Sequence, residues 1–339
     1  MMEQQLKQAN ATNFLSGKRI LVTGGAGFIG SHIIDQLMGH EVQAVVVVDN
    51  MVRGRPENLS AVAADPRLRL VNGDIRDNAL MNELVRDADI VFHQAALRIT
   101  HCAAEPAEAF EVMGRATFDL LQLCVKHKIQ KIIAASSASI YGYAPEFPTT
   151  EAAAPYADRT LYGGLKLFNE KLLRSFNDMY GLNYCALRYF NVYGTRMDIH
   201  GRYTEVLIRW MERIAANQPP IIFGDGLQTM DFVEVRDVAS SNIAAALSSA
   251  SDEVYNVASG AEVSLRELAQ TLLKIMGREN LEIHHEPARN VNPVERRLAD
   301  PSKARSQLGF EVSIGLEDGL RDLVRWWRNE RVSMLELAK

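Results

Sequence analysis

Cysteine is scarce in this 339-residue chain. The three that occur, Cys102, Cys124 and Cys185, share neither metal-ligand nor disulfide spacing. That argues against a stapled secreted scaffold or a zinc module and fits a reducing cytosol. Long apolar runs are missing too: the longest are strand-sized, far short of the ~20 residues that cross a bilayer, so no membrane partner is expected. There is no basic tract, and 37 Lys and Arg against 42 Asp and Glu leave a formal charge of −5. Nucleic acid is therefore not expected as the main partner. Repeats and low-complexity segments are absent. Met1 to Ser16 is polar and lacks the apolar centre of a signal peptide, so residues 1–17 are expected to be a flexible lead-in. What is there, 47% apolar and 23% charged residues, is ordinary for a globular enzyme of about two domains, expected in the cytoplasm.

The chain is organised around Arg19-Ile-Leu-Val-Thr-Gly-Gly-Ala-Gly-Phe-Ile-Gly30. It reads as a buried strand, a glycine turn and a helix from Phe28. Gly24 suits a tight turn of positive φ, Gly27 lets backbone N–H groups approach a pyrophosphate, and Gly30 lets the helix pack closely. An anion is favoured at such a helix start. Gln43-Ala-Val-Val-Val-Val-Asp49 follows, and Asp49 stands nineteen residues after Gly30, a spacing suited to a carboxylate accepting from an adenosine ribose. Asp49 would repel a 2′-phosphate brought by Arg53 or Arg55, which favours NAD over NADP.

Further strands are expected at 68–71, 89–96, 131–136 and 184–190, and helices at 57–64, 78–86, 105–127 and 160–180. This alternation predicts an α/β fold, a doubly wound parallel sheet of Rossmann type. Ligands then bind beyond the strand C-terminal ends, where Gly24, Asp49, Asp74, Ala95, Ser137 and Asn191 fall. After Asn191 the alternation fails: a helix is expected at 205–217, 230–237 leads back towards the sheet, and 253–257 is a last strand. The expected division is an NAD-binding domain of residues 18–190 plus about 235–260. A smaller, mixed α/β substrate lobe of about 191–234 plus 261–339 completes it.

Tyr162 and Lys166 stand at i and i+4, so a helix presents phenol and ammonium on one face. A free phenol has a pKa near 10. An ammonium beside it and a positively charged nicotinamide ring would stabilise the phenolate, and reaching about 7 requires roughly 4 kcal/mol. Gly163 and Gly164 cost about 1 kcal/mol each inside a helix, as though something, most simply the cofactor, must come close.

These segments resemble the extended short-chain dehydrogenase/reductase family, in its NAD-dependent sugar-nucleotide epimerase/dehydratase branch, from about Lys18 to Trp327. The carriers are Thr23 to Gly30, Gly73-Asp-Ile75, His93-Gln-Ala-Ala96, Ser136-Ser-Ala-Ser-Ile-Tyr-Gly142, Tyr162-x-x-x-Lys166, Arg188-Tyr-Phe-Asn-Val-Tyr-Gly194 and Ala299-Asp300-Pro-Ser-Lys-Ala304. The resemblance implies tightly held NAD in contact with Gly24, Gly27, Phe28, Ile29 and Gly30. Asp49 and Asn50 would line the same site, Asp74 and Ile75 would lie beside adenine, and Ala95, Ala96, Tyr162 and Lys166 would complete it. It makes Ser137, Tyr162 and Lys166 catalytic. Ser137 would hydrogen-bond the sugar oxygen, Tyr162 would accept the proton, and Lys166 would hold the nicotinamide ribose. Ser139 and Asn191 would face the nucleotide sugar, with Arg289 a candidate phosphate ligand.

Ser139 narrows the reaction. Dehydratases and decarboxylases of this branch carry Glu at the matching place, and serine cannot supply that acid/base function. The pattern is that of a UDP-sugar 4-epimerase passing through a 4-keto sugar. Two rival readings stay open: a dehydratase or reductase/dehydrogenase on the same scaffold, and a non-catalytic NAD-binding protein. Met230 stands where epimerases usually carry a diphosphate-gripping Arg, Met113 where Asn is usual, and Val291-Asn-Pro293 where Gly-Asp is usual. Arg98, Thr100, His101 and Arg209 are polar candidates at the mouth of the site. His284 and His285 lack further ligands, and no metal is expected. Trp326 and Trp327 are expected to pack. Helices 105–127 and 160–180 are the usual homodimer surface of the family.

Overall fold

The computed structural model describes residues 14–154, 158–199, 205–288 and 294–337. Arg289 lies outside the described residues, as does most of the expected lead-in. Strand β1 (Arg19–Thr23), helix α1 (Phe28–Met38) and strand β2 (Ala44–Asp49) open the chain. There follow β3 (Leu68–Asn72), α2 (Asn78–Arg86), β4 (Ile90–His93), α3 (Ile99–Ala104), α4 (Pro106–Ala109), α5 (Ala116–Lys126), β5 (Lys131–Ser137), α6 (Leu161–Tyr180) and β6 (Tyr184–Tyr189). The rest comprises β7 (Asn191–Tyr193), α7 (Val206–Ala215), β8 (Ile221–Phe223), β9 (Thr229–Glu234), α8 (Val235–Leu247) and β10 (Glu253–Val257). β11 (Glu262–Ser264), α9 (Leu265–Met276), β12 (His284–Glu286), β13 (Arg296–Arg297), α10 (Ser302–Leu308) and α11 (Leu316–Leu337) complete it.

One seven-stranded sheet runs β10-β6-β5-β4-β1-β2-β3, with every pair parallel. A parallel sheet is covered on both faces, so its strands read as unbroken apolar runs rather than alternating ones. Val45 and Val47 enter one core with Ile20, Val22 and Phe92, under α1 and α8. Val48 enters the opposite core with Leu21 and Val91, under α2, α5 and α6. The chain travels outward from β1 to β3, then returns to place β4 on the other side of β1. That reversal opens a crevice at the C-terminal ends of β1 and β4.

A second assembly sits over those ends. β9 pairs with β7, β11 and β13, so the segment from Met230 lies in a separate four-stranded sheet and not in the main one. Only α8, which follows it, returns to pack on α1. Fully buried Asp231 ties this sheet down by accepting from the N–H groups of Ser259, Gly260 and Ala299 and from the Ser259 hydroxyl. Helices α7, α9 and α11 close their own core around Trp210, Leu268, Leu272, Leu320 and Trp327.

Other expectations shift locally. The helix read at 57–64 is a short 3-10 turn, Pro56–Leu59, followed by turns through residue 64, with Val62 packing against the same core as Leu59. The segment 105–127 is helical but carries a π turn, Phe110–Arg115, between α4 and α5. There the Thr117 hydroxyl donates to the Met113 carbonyl at 2.8 Å. His284 and His285 lie on β12, an exposed strand beside β8, rather than in a loop.

Candidate functional site

The crevice is a cavity of about 540 Å3. Its floor is the glycine turn, where Gly24 has φ +67°. A Cβ on Gly24 would lie 2.7 Å from the Ala95 nitrogen, and one on Gly30 would drive into the Gly24 carbonyl and the Gly25 Cα. Both positions therefore need glycine so that β1, α1 and the end of β4 can converge. Helix α1 begins at this floor with no side-chain cap and no acid in its first turn. Its opening N–H groups are left for an anion.

Gly24, Gly27, Phe28, Ile29, Gly30, Asp49, Asn50, Asp74 and Ile75 line one part of the cavity. Ala95, Ala96, Arg98, Ser137, Ser139, Tyr162, Lys166, Asn191 and Arg209 line the remainder. At the end of β2, Asp49 accepts from the backbone N–H groups of Ala26 at 3.1 Å and Met51 at 3.0 Å, and burial raises its carboxyl pKa. Asp74 is gripped by Arg76 at 2.9 and 2.7 Å and by the Asn50 amide at 3.1 Å. Those donors hold its pKa down at about 2.

Ser137 ends β5, and its Oγ accepts from the Ser139 N–H at 3.1 Å. The Tyr162 phenol on α6 lines the same cavity, close enough to Ser137 for that hydroxyl to favour the phenolate while burial disfavours it. Lys166 is buried one turn further on, with Nζ donating to the Ala135 carbonyl at 2.6 Å and lying 5.9 Å from the Tyr162 ring centroid. Burial pushes the Lys166 ammonium down to about 8 and the Tyr162 phenol up to about 12. In the protein alone, then, Lys166 does not lower the phenol's pKa below its free value: its donor is turned to a carbonyl, and desolvation dominates.

Gly163 also has a different cause from the one expected. A Cβ there would collide with the Asp158 carboxylate, which accepts from the N–H and hydroxyl of Thr160, the residue capping α6. The glycine makes room for this cap, and Gly163 is not among the residues lining the cavity.

Behind Ser137, the Arg188 guanidinium on β6 meets Glu170 on α6 at 2.9 and 2.7 Å, and the neighbouring Ser136 hydroxyl also donates to Glu170. Arg188 donates further to the Tyr141 hydroxyl at 2.7 Å. This buried, fully partnered network fixes α6 against the strand that ends in Ser137.

The mouth is crossed by charge pairs: Arg53 to Asp198 at 3.5 Å, and Arg98 to Asp198 at 3.9 Å and to Glu205 at 3.5 Å. The Asn191 amide donates to the Asp231 carbonyl at 3.0 Å, so in this state it is committed to β9. His101 pairs with Glu108 at 2.9 Å, and Thr100 lines the cavity. Arg297, also on the lining, escaped sequence reading because a two-residue strand carries no periodic signal.

The description "NAD dependent epimerase/dehydratase family" matches residues 20–258. The chain belongs to that family. It is 32% identical over 317 residues to the UDP-glucose 4-epimerase of Mycolicibacterium smegmatis, covering 92% of this chain and 99% of that protein. Among solved structures, the UDP-glucose 4-epimerase of Thermotoga maritima with UDP-glucose is 34% identical at a TM-score of 0.86, covering 92% and 99% of the two chains. The Thermus thermophilus UDP-glucose 4-epimerase complex with NAD is 31% identical at 0.81, covering 91% and 99%. Decarboxylases and 4,6-dehydratases of nucleotide sugars match this family member as well.

Proposed function

We propose that this enzyme is an NAD-dependent 4-epimerase of a UDP-linked hexose. The observation that carries the reading is the convergence of Ser137, Tyr162 and buried Lys166 on one cavity, with Ser139 rather than a carboxylate on the adjoining turn. The cavity suits the dinucleotide: a glycine turn that excludes any Cβ, an uncapped helix start for the phosphates, and a buried Asp49 for the ribose. We assign Gly24 to Gly30, Asp49, Asn50, Asp74, Ile75, Ala95 and Ala96 to that cofactor, and the lobe formed by 191–234 and 261–339 to the substrate.

When bound, NAD supplies the acceptor and later the donor of the C4 hydride. The protein's part is the proton. Ser137 orients the sugar C4 hydroxyl, and Tyr162 takes its proton and returns it once the 4-keto sugar has presented its other face. From a pKa of about 12, bringing the phenol to about 7 takes roughly 7 kcal/mol of differential stabilisation. Lys166 contributes to it by keeping a positive charge in the same buried space. Dehydration or decarboxylation calls for an acid/base group that Ser139 cannot be.

Proton NMR in D2O with UDP-sugars tests the assignment. A C4 epimer without solvent deuterium is expected, whereas a deuterated deoxy-methyl product would replace epimerisation by dehydration.

Two further assignments accompany this reading. Leu161, Phe168, Leu172 and Met179 are spaced 7, 4 and 7 apart, so they fall on one line of α6, and Leu161, Phe168 and Met179 are exposed. Phe110, at the start of the π turn that leads into α5, is exposed as well. We assign this stripe to a homodimer contact. The three buried free cysteines fit a cytoplasmic setting.

A further inference from the structure

Met230 leaves β9 without the cation expected there, and the neighbouring strand carries one: β13 runs parallel to β9 and sets Arg297 opposite Met230. The Arg297 side chain lines the same cavity as Ser137, Ser139 and Tyr162, yet the residue is only 9% exposed. Its Nη1 donates to the Ala138 carbonyl at 2.7 Å. That bond lays the guanidinium on the turn between Ser137 and Ser139, the sugar end of the cavity, away from the helix start assigned to the cofactor phosphates.

Charge balance sets Arg297 apart from Arg53 and Arg98. Arg53 and Arg98 face Asp198 and Glu205 across the mouth. No described carboxylate forms an ion pair with Arg297. Asp158 acts on it electrostatically, but that carboxylate is engaged by Thr160. Burial accordingly draws the guanidinium down to about 10. A buried cation with one carbonyl partner and no carboxylate in ion-pair contact is costly, and the cost is offset when a ligand brings the anion. A guanidinium has five N–H donors in a planar fork. One is spent on Ala138, and the rest match a planar carboxylate.

We propose that Arg297 makes the site selective for a nucleotide-linked sugar that itself carries a carboxylate, a uronic acid, over the neutral hexose. The inference rests on the nucleotide-sugar reading above and names the class of sugar within it. An arginine held against Ala138, on the turn that carries Ser137 and Ser139, is placed to read a substituent of the sugar ring beside Ser137 and Tyr162.

The test is calorimetry and turnover of the NAD-loaded protein with UDP-glucuronate and UDP-glucose, in wild type, Arg297→Met and Arg297→Lys. Wild type is expected to favour UDP-glucuronate at least tenfold in Kd and in kcat/KM. Arg297→Met should shrink that ratio by about 100-fold, the size expected when one member of a buried charge pair is removed. Arg297→Lys, which keeps the charge but loses the fork, should fall between them. It also serves as the folded comparison if the Met variant does not fold. A wild-type preference for UDP-glucose, or equal losses on both sugars in the variants, would overturn the proposal. If calorimetry shows the Arg297-dependent preference but neither sugar is epimerised, the carboxylate assignment stands and the epimerase reading falls. If neither UDP-sugar binds, both fall.

Discussion

On the proposed reading, the proton acceptor Tyr162 and the ribose ligand Asp49 have distinct expected failures. Tyr162 shares the cavity with Ser137, and burial pushes its phenol up to about 12. Replacing it by Phe removes the proton acceptor while leaving the ring's packing. Turnover should fall by about 10³-fold, within the usual range for a general acid/base, with NAD still bound by absorbance. Unchanged turnover would take Tyr162 out of that role. Asp49 is different, because it also braces the Ala26 and Met51 backbone. Asp49→Ala should weaken NAD by about 10- to 100-fold, the loss of one charged acceptor. A merely structural role would weaken NADP equally. An Asp facing the ribose predicts instead that the NADP-to-NAD affinity ratio rises, which fluorescence titration of both cofactors can read.

At the scale of elements, what was legible followed from how far each signal extends. β1, α1, β2 and α6 were readable because glycine chemistry, an unbroken valine run and a long apolar period with Thr160 at its cap all point the same way. The π turn at Phe110–Arg115 was not, since a single widened turn within a long helical stretch shifts the apolar period too little to register. β7, β8, β11, β12 and β13 have three residues or fewer, too short for alternation to register. Hence the glycine floor, Ser137 and Tyr162 could be named from sequence, while Arg297 needed the pairing of β13 with β9. The exposed stripe of α6 belongs to this scale too. Phe168→Glu sets a charge at its middle, 42% exposed in the single chain. It should convert a dimer to a monomer in light scattering without unfolding, since no core contact is lost. A wild type that is already monomeric, or a variant that stays dimeric, would move the interface elsewhere.

Across the whole molecule, two histidines tie stability to pH. His93 bridges strands and helix at the switch point: the Thr23 hydroxyl lies 2.8 Å from Nδ1 and the Thr117 hydroxyl 3.1 Å from Nε2. Because Thr117 gives its own proton to the Met113 carbonyl, it accepts from Nε2–H, and Nδ1 accepts from Thr23. The ring is thus satisfied only when neutral. Burial, with Lys166 nearby, lowers its pKa to about 3. His32 on α1 meets the Thr195 carbonyl, and burial together with Arg196 and Arg236 lowers it to about 3 as well. Between pH 6.5 and 3 the unfolded chain therefore binds protons that the folded chain refuses, so stability falls as pH falls through that window. At pH 5 each histidine costs about 2 kcal/mol relative to neutrality. Asp35, Asp49, Asp231 and Glu234, whose carboxyls burial raises, act with the opposite sign. The two contributions are separated by substitution. His93→Gln lowers stability at pH 7 but should remove about 2 kcal/mol of the loss between pH 7 and 5, read from urea midpoints at each pH. An unaltered pH slope in that variant would mean that His93 titrates in the folded protein, and the neutral bridge between β1, β4 and α5 would have to be abandoned.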